Sequence, residues 1–137
     1  MAGSGAGLGF TTGQVVQEFY FDDDVAASVR DAVEAATGEA LVGPDFDDVT
    51  DGAIVWWRAD DAAEDDLVDV LMDVQANLDN GGLIWVLTPN ARSVGHVRPS
   101  DITEAARLAG MNATSAAAVS ADWSGMRLTS RSRPARS

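Results

Sequence analysis

The chain has one histidine, His96, set in a polar stretch beside Gly95, and this residue bounds the acid–base and metal chemistry available. A single imidazole excludes a multi-histidine metal site, and a Ser-His-Asp triad would have to be built on it. Anchoring of its own loop is the plainer expectation for His96, and general acid–base work is the sharper one. The sequence has no cysteine, which removes thiol nucleophiles, thiolate metal sites and disulfides together and fits a reducing compartment. Carboxylates are abundant and come in pairs such as Asp60-Asp61 and Asp65-Asp66. Neighbours on a helix point in different directions and no EF-hand spacing occurs, so these pairs predict at most weak surface binding of cations. No resident metal is expected.

Trp123-Ser124-Gly125 is the most specific local motif. It predicts a hairpin turn in which Gly125 supplies an unusual backbone angle and the indole covers the sheet edge. The competing reading makes Trp123, with Arg127 beside it, a contact for a partner, because exposed Trp and Arg are enriched at interaction hot spots.

Charge is divided along the chain. Of 22 acids, 19 lie in residues 1–91 together with only Arg30 and Arg58, a balance of -17; residues 92–137 hold seven arginines against Asp101, Glu104 and Asp122, a balance of +4. All nine basic residues are arginine. Such an acidic body repels phosphate backbones and anionic lipid, which argues against nucleic acid and membrane as partners. The acids either solvate the domain or form a docking face, centred on Asp65, Asp66 and Asp69, for a protein partner with a basic surface. Oligomeric state is left open.

Elements that would position these residues follow from hydrophobic period and breakers. Gln14 to Tyr20 predicts a strand, and Asp22, Asp23 and Asp24 then cap a helix carrying Val25, Val29 and Val33 and closed by Gly38. A short strand at Ala40 to Val42 leads to an acidic loop. Ala53 to Trp57 is apolar without alternation, so Trp56 and Trp57 can both be buried only if helices cover both faces of the sheet. A helix over Asp61 to Asp79, ended by Asn80-Gly81-Gly82, precedes a second apolar strand, Leu83 to Leu87. Ser100 caps a helix that ends at Gly110, and Ala113 to Ala121 pairs with Met126 to Ser130 as an antiparallel hairpin. The expectation is an α/β fold, a three-layer Rossmann-like sheet, mostly parallel with a C-terminal antiparallel hairpin. Residues 1–7 are expected to be a flexible leader without secretory character, 8–130 a single α/β domain, and 131–137 a disordered basic tail. Apolar runs too short to span a bilayer point to a cytoplasmic protein.

From Asp51 to Ser130 the order of strands, glycine-ended helices and closing hairpin resembles the second half of class I methyltransferase folds. Three stretches, Leu8-Gly9-Phe10 with Gly13-Gln14-Val15-Val16, Gly82 through Pro89, and Asp122 through Leu128, resemble the bacterial family known as domain of unknown function 3052. In that family a lysine usually follows the proline, where Asn90 stands here. The resemblance implies a fold and not an activity.

A methyl donor or dinucleotide needs glycine directly after the first strand, where backbone must approach the ligand. That turn reads Tyr20-Phe21-Asp22-Asp23-Asp24-Val25, without glycine and with three carboxylates, and the glycines at 3, 5, 7 and 9 have neither a preceding strand nor G-x-G-x-x-G spacing. No cofactor is expected. The favoured function is a non-enzymatic protein-interaction or regulatory module on a degenerate methyltransferase-like scaffold. The alternative is a small-molecule- or nucleotide-binding protein, or a divergent enzyme, using the crevice beyond Val42, Trp57 and Pro89.

Overall fold

The computed structural model describes residues 8–130, so the expected leader over 1–7 and basic tail over 131–137 lie outside the described residues. Elements follow in the order β1 (Val16–Phe19), α1 (Ala27–Thr37), β2 (Thr50–Trp56), α2 (Ala59–Glu64), α3 (Leu67–Gln75), β3 (Leu78–Pro89), α4 (Pro99–Leu108), β4 (Met111–Ala118) and β5 (Trp123–Ser130). Trp56 and Trp57 are both buried, at 0% and 1% exposed, and they point to opposite faces of the sheet. Trp56 joins Val29 and Val33 of α1 and Ile54 in one cluster, whereas Trp57 joins Leu67 and Leu71 of α3 and Ile102 of α4 in the other. Helices therefore cover both faces. Burying each indole removes on the order of 200 Å² from water, worth about 5 kcal/mol before entropy is counted.

The sheet order is β1-β2-β3-β5-β4. β1 pairs with β2 and β2 with β3 in parallel, but β5 lies antiparallel to both β3 and β4. The mostly parallel sheet expected from sequence is thus corrected to a mixed one. β5 does not extend the sheet beyond β4; it inserts between β3 and β4, and one reversed strand there turns two ladders antiparallel, the longer two of the four.

Helix α1 begins at Ala27 and not at the acidic run, which instead forms the turn after β1. Its end is as read from sequence: Gly38 takes φ 78° and its N–H donates to Glu34 O at 2.8 Å. The single helix expected over 61–79 is two. Asp65 is extended at φ -127°, and Asp66 accepts from Val68 N at 2.9 Å, capping α3. α3 stops at Gln75, and Leu78 already pairs with Thr50, so Gly82 falls inside β3 rather than ending a helix. The strand expected at Ala40 to Val42 reduces to one bridge, Val42 to Gln17.

Trp123-Ser124-Gly125 opens β5 instead of forming the turn. The reversal is made just before it, where Ser120 Oγ accepts from Asp122 N at 3.3 Å and Trp123 N at 3.1 Å. Gly125 is required for space: a Cβ there would lie 2.8 Å from Trp85 Cε3 and 2.9 Å from Leu87 Cδ2. Leu8 and Phe10 are buried, and Trp85 Nε1 donates to Leu8 O at 2.7 Å, which seats the start of the described chain on the α1 face. Among the described residues no helix is long and apolar enough to cross a membrane.

Candidate functional site

The parallel strands β1, β2 and β3 end on the same edge of the sheet, the edge where open α/β sheets hold ligands. β1 is followed by Tyr20 at φ 63°, a bulky aromatic residue in the left-handed region. That conformation costs roughly 1–2 kcal/mol and needs outside support. Support comes from three sides. The Tyr20 carbonyl accepts from Arg58 Nη1 at 3.1 Å, its hydroxyl donates to Asp65 Oδ2 at 2.8 Å, and its ring meets Trp57 edge to face at 5.3 Å. Burial, then the Asp65 carboxylate, push the phenol up to about 12.

Arg58, two residues past β2, fills the crevice between the β1 and β2 ends. Its side chain is 13% exposed. Nε and Nη2 donate to the two oxygens of Asp24 at 2.8 and 2.6 Å, and Nη1 reaches Trp56 O at 3.0 Å and Asp61 Oδ2 at 3.1 Å. The guanidinium lies 5.3 Å from the Trp123 ring centre. Hydrogen bonding from Arg58 holds the Asp24 carboxyl below its ordinary range. Burial acts to lower Arg58, but its bonds to Asp24 and Asp61 outweigh it and the net shift is upward. Below this pair, Trp123 Nε1 donates to Asp24 O at 3.2 Å and the ring meets Trp56 edge to face at 4.9 Å. Trp56 Nε1 donates to Glu18 Oε2 at 2.9 Å, and Arg30 grips both Glu18 oxygens at 2.7 and 2.9 Å. The two basic residues of the acidic half therefore both tie β1 to β2, Arg30 through Glu18 and Trp56, and Arg58 through the turn after β1.

The end of β3 is closed as well. His96 Nδ1 lies 3.0 Å from Pro89 O, and since a carbonyl only accepts, Nδ1 carries the proton. Ser124 Oγ donates to Asn90 Oδ1 at 2.6 Å, and Asn90 Nδ2 donates to Ala121 O at 2.6 Å. The hydrogen bond of His96 is that of a loop anchor. Trp123, at 3% exposed, presents no face to a partner, and Arg127 is half-buried on β5 beside Trp85 of β3.

Asp65 and Asp66 lie elsewhere, on a groove between α2, the start of α3 and α4 with a volume of about 580 Å³. Its floor is apolar, with Trp57, Leu67, Val97 and Ile102, and its rim carries Glu64, Asp65, Asp66, Asp101 and Glu104. Asp65 and Asp66 are committed to Tyr20 and the α3 cap, and Glu104 is held by Arg107 at 2.6 Å. Asp69 is exposed on the first turn of α3 and does not line the groove. The structure thus gathers Trp123 with Arg58, Asp24 and Trp56, places Asp65 and Asp66 on the groove, and leaves His96 at the β3 exit. Sequence reasoning missed Arg58, Asp24 and Tyr20 as a unit. The available signal was that Arg30 and Arg58 are the only cations among 19 acids in residues 1–91, since an isolated cation in such surroundings is held by the acids around it.

The model of the family described as protein of unknown function (DUF3052) matches residues 5–132. The uncharacterized proteins Rv2239c of Mycobacterium tuberculosis and Mb2263c of Mycobacterium bovis are each 42% identical over 121 residues, 88% of this chain and 74% of the relative. Among solved structures, the mitomycin 7-O-methyltransferase MmcR is similar with a TM-score of 0.57 at 12% identity, over 94% of this chain and 54% of that one. The magnesium protoporphyrin IX methyltransferase ChlM from Synechocystis PCC 6803 gives 0.52 at 9% identity, over 87% of this chain and 71% of that one. This chain thus spans about half of the mitomycin enzyme. At these identities the likeness shows the fold alone: an α/β fold with a mixed sheet like that of class I methyltransferases.

Proposed function

We propose, from the premise that this chain belongs to the DUF3052 family of proteins of unknown function, that it is a non-enzymatic interaction module: a methyltransferase-like sheet without a working donor turn, which takes a basic segment of a protein partner into the acidic groove between α2, α3 and α4. One observation carries this reading, the seating of Arg58 on Asp24, Asp61 and the carbonyls of Tyr20 and Trp56. A ligand entering the turn after β1 would have to displace a guanidinium whose partners would then lack donors, at a cost of several kcal/mol. Five acidic side chains around an apolar floor suit an amphipathic cationic segment, and the -17 balance of residues 1–91 would speed its approach.

The test is affinity purification at low and at high salt with groove variants. Glu64→Lys with Glu104→Lys leaves the rim nearly neutral while sparing Asp65 and Asp66, which support Tyr20 and the α3 cap. Asp69→Lys reverses a charge outside the groove. Loss of the partner with the rim variant but not with Asp69→Lys is the expected result, and recovery unchanged by the rim variant sinks the proposal. The methyltransferase-like fold favours a second reading, a ligand-binding protein or divergent enzyme using the crevice. S-adenosylmethionine at 100 times its dissociation constant would then add about 2.7 kcal/mol of stability in a thermal-shift assay.

A further inference from the structure

The fold covers one edge of the sheet and leaves the other bare. On the outer side of β1, Val42 N donates to Val16 O at 3.0 Å, Glu18 N donates to Val42 O at 2.8 Å, and Gln17 Nε2 donates to the carbonyls of Gly43 and Phe46 in the loop beyond. The outer side of β4 has no such cover among the described residues. Val119 N donates to Trp123 O at 3.0 Å, and the alternation of an antiparallel ladder then turns Ala117 and Ser115 toward β5 as well. The N–H and C=O of Ala116 and Ala118 therefore point away from the sheet, where no strand meets them among the described residues. A bulge between Ala113 and Ser115 guards the first part of this edge, but Ser115 to Ala118 is regular and exposed.

The edge also lacks the charges and prolines that keep sheet edges apart. Met111 to Ala121 contains neither, in a chain with a net charge of -13. Two copies of so acidic a chain repel except through a neutral face, and β4 lies in one: residues 92–130 carry four arginines against three acids. A foreign strand would find main-chain bonds on Ala116 to Ala118 but little side-chain selection, whereas an identical strand matches in length and brings no charge. We infer that β4 pairs antiparallel with β4 of a second copy about a two-fold axis at Ala117, joining the two five-stranded sheets into one. Outward groups meet outward groups only if the axis falls on a residue, and at Ala117 it uses both Ala116 and Ala118 and avoids the bulge. Each copy's Ala116 then bonds the other's Ala118, and the two Ala117 side chains face each other. A groove of about 330 Å³ between α4 and β4, lined by Ile102, Met126, Ala116 and Ala118, receives the second copy's methyls along its open side. The interface is independent of the acidic groove, which β4 does not line.

Sedimentation of the full chain tests this. A monomer–dimer equilibrium is expected, with a dissociation constant on the order of 100 µM as suits a small interface. Salt should tighten it, because screening relieves the repulsion of two acidic copies. Ala116→Pro removes an outward N–H, spares the ladder to β5 and should weaken the dimer about tenfold or more. Ala117→Lys and Ala117→Glu each set like charges face to face and should each be monomeric, and an equimolar mixture of the two should dimerise again. Ala117→Cys, in a chain with no other cysteine, should oxidise to a linked dimer, whereas Ser115→Cys, displaced along the strand from its own copy, should not. A wild type that stays monomeric up to about 1 mM overturns the proposal and leaves the edge to a strand of another protein. A dimer that survives Ala117→Lys, loosens with salt, or links equally well through Ser115→Cys overturns it too, by placing the contact elsewhere.

Discussion

Arg58 and Asp24 lie 34 residues apart in sequence and meet through two parallel hydrogen bonds of 2.8 and 2.6 Å, which bolt the turn after β1 to the end of β2. The two partners are not equivalent. The Arg58 side chain is 13% exposed and that of Asp24 is 55% exposed. Arg58→Met leaves Tyr20 O, Trp56 O and Asp61 without their donor and should cost about 2–4 kcal/mol, whereas Asp24→Ala removes an exposed partner and should cost about 1 kcal/mol or less. Urea unfolding reads this as a lower midpoint at constant slope. Equal losses would place the energy in the ion pair itself instead of in the buried guanidinium.

Glu18 is the corresponding tie on the α1 face, 6% exposed and accepting from Trp56 Nε1 and twice from Arg30. Glu18→Ala strands an indole N–H and a guanidinium, for an expected loss of about 3 kcal/mol. Glu18→Gln keeps one acceptor oxygen and should lose about half as much. A glutamine variant as unstable as the alanine one would show that charge, and not hydrogen bonding, dominates.

Tyr20 is the only tyrosine of the chain, so absorbance of the phenolate at alkaline pH reports on it alone. The titration should have its midpoint near 12. Asp65→Asn removes the neighbouring charge and should lower that midpoint, yet leave it above 10 because burial is the larger cause. A raised value stabilises the neutral form, so this contribution is whole below pH 10 and is lost as pH climbs toward 12. A wild-type midpoint at 10 would place the hydroxyl in open solvent.

At the acid end the sign reverses. Asp24 titrates below its ordinary 3.8 when folded, so its contribution is present above that value and is lost as pH falls through the folded one. Stability measured between about pH 5 and 2 should therefore fall less steeply in Arg58→Met than in the wild type. An identical slope would mean that Asp24 is not held by Arg58 in solution.

The central strands and the layering were legible because Trp56 beside Trp57 in an unbroken apolar run admits only a sheet covered on both faces. Gly38 was legible as a helix end because its backbone angle has a local cause. What escaped the sequence was decided by distant partners. Asp65 and Asp66 read as part of one long helix, since their acidic neighbours continue the pattern, but Tyr20 holds the first of them and the second turns to cap α3. Gly125 read as a turn residue, yet its small size answers to Trp85 and Leu87 on the neighbouring strand. The Arg58 site could not be assembled in advance because its parts come from the β1 turn, the β2 exit and the start of β5, and a pairing 34 residues apart has no period to reveal it.

The place of β5 between β3 and β4 bears on how the protein is made. β4 pairs with β5 alone, and β5 is the last strand of the described chain. During vectorial synthesis the ribosome releases β1, β2 and β3, which can zip together at once, but β4 must wait unpartnered until residues 123–130 emerge. A nascent chain halted before Trp123 would carry a three-stranded parallel sheet with the β3 edge bare, the form of this protein most exposed to chaperones and proteases.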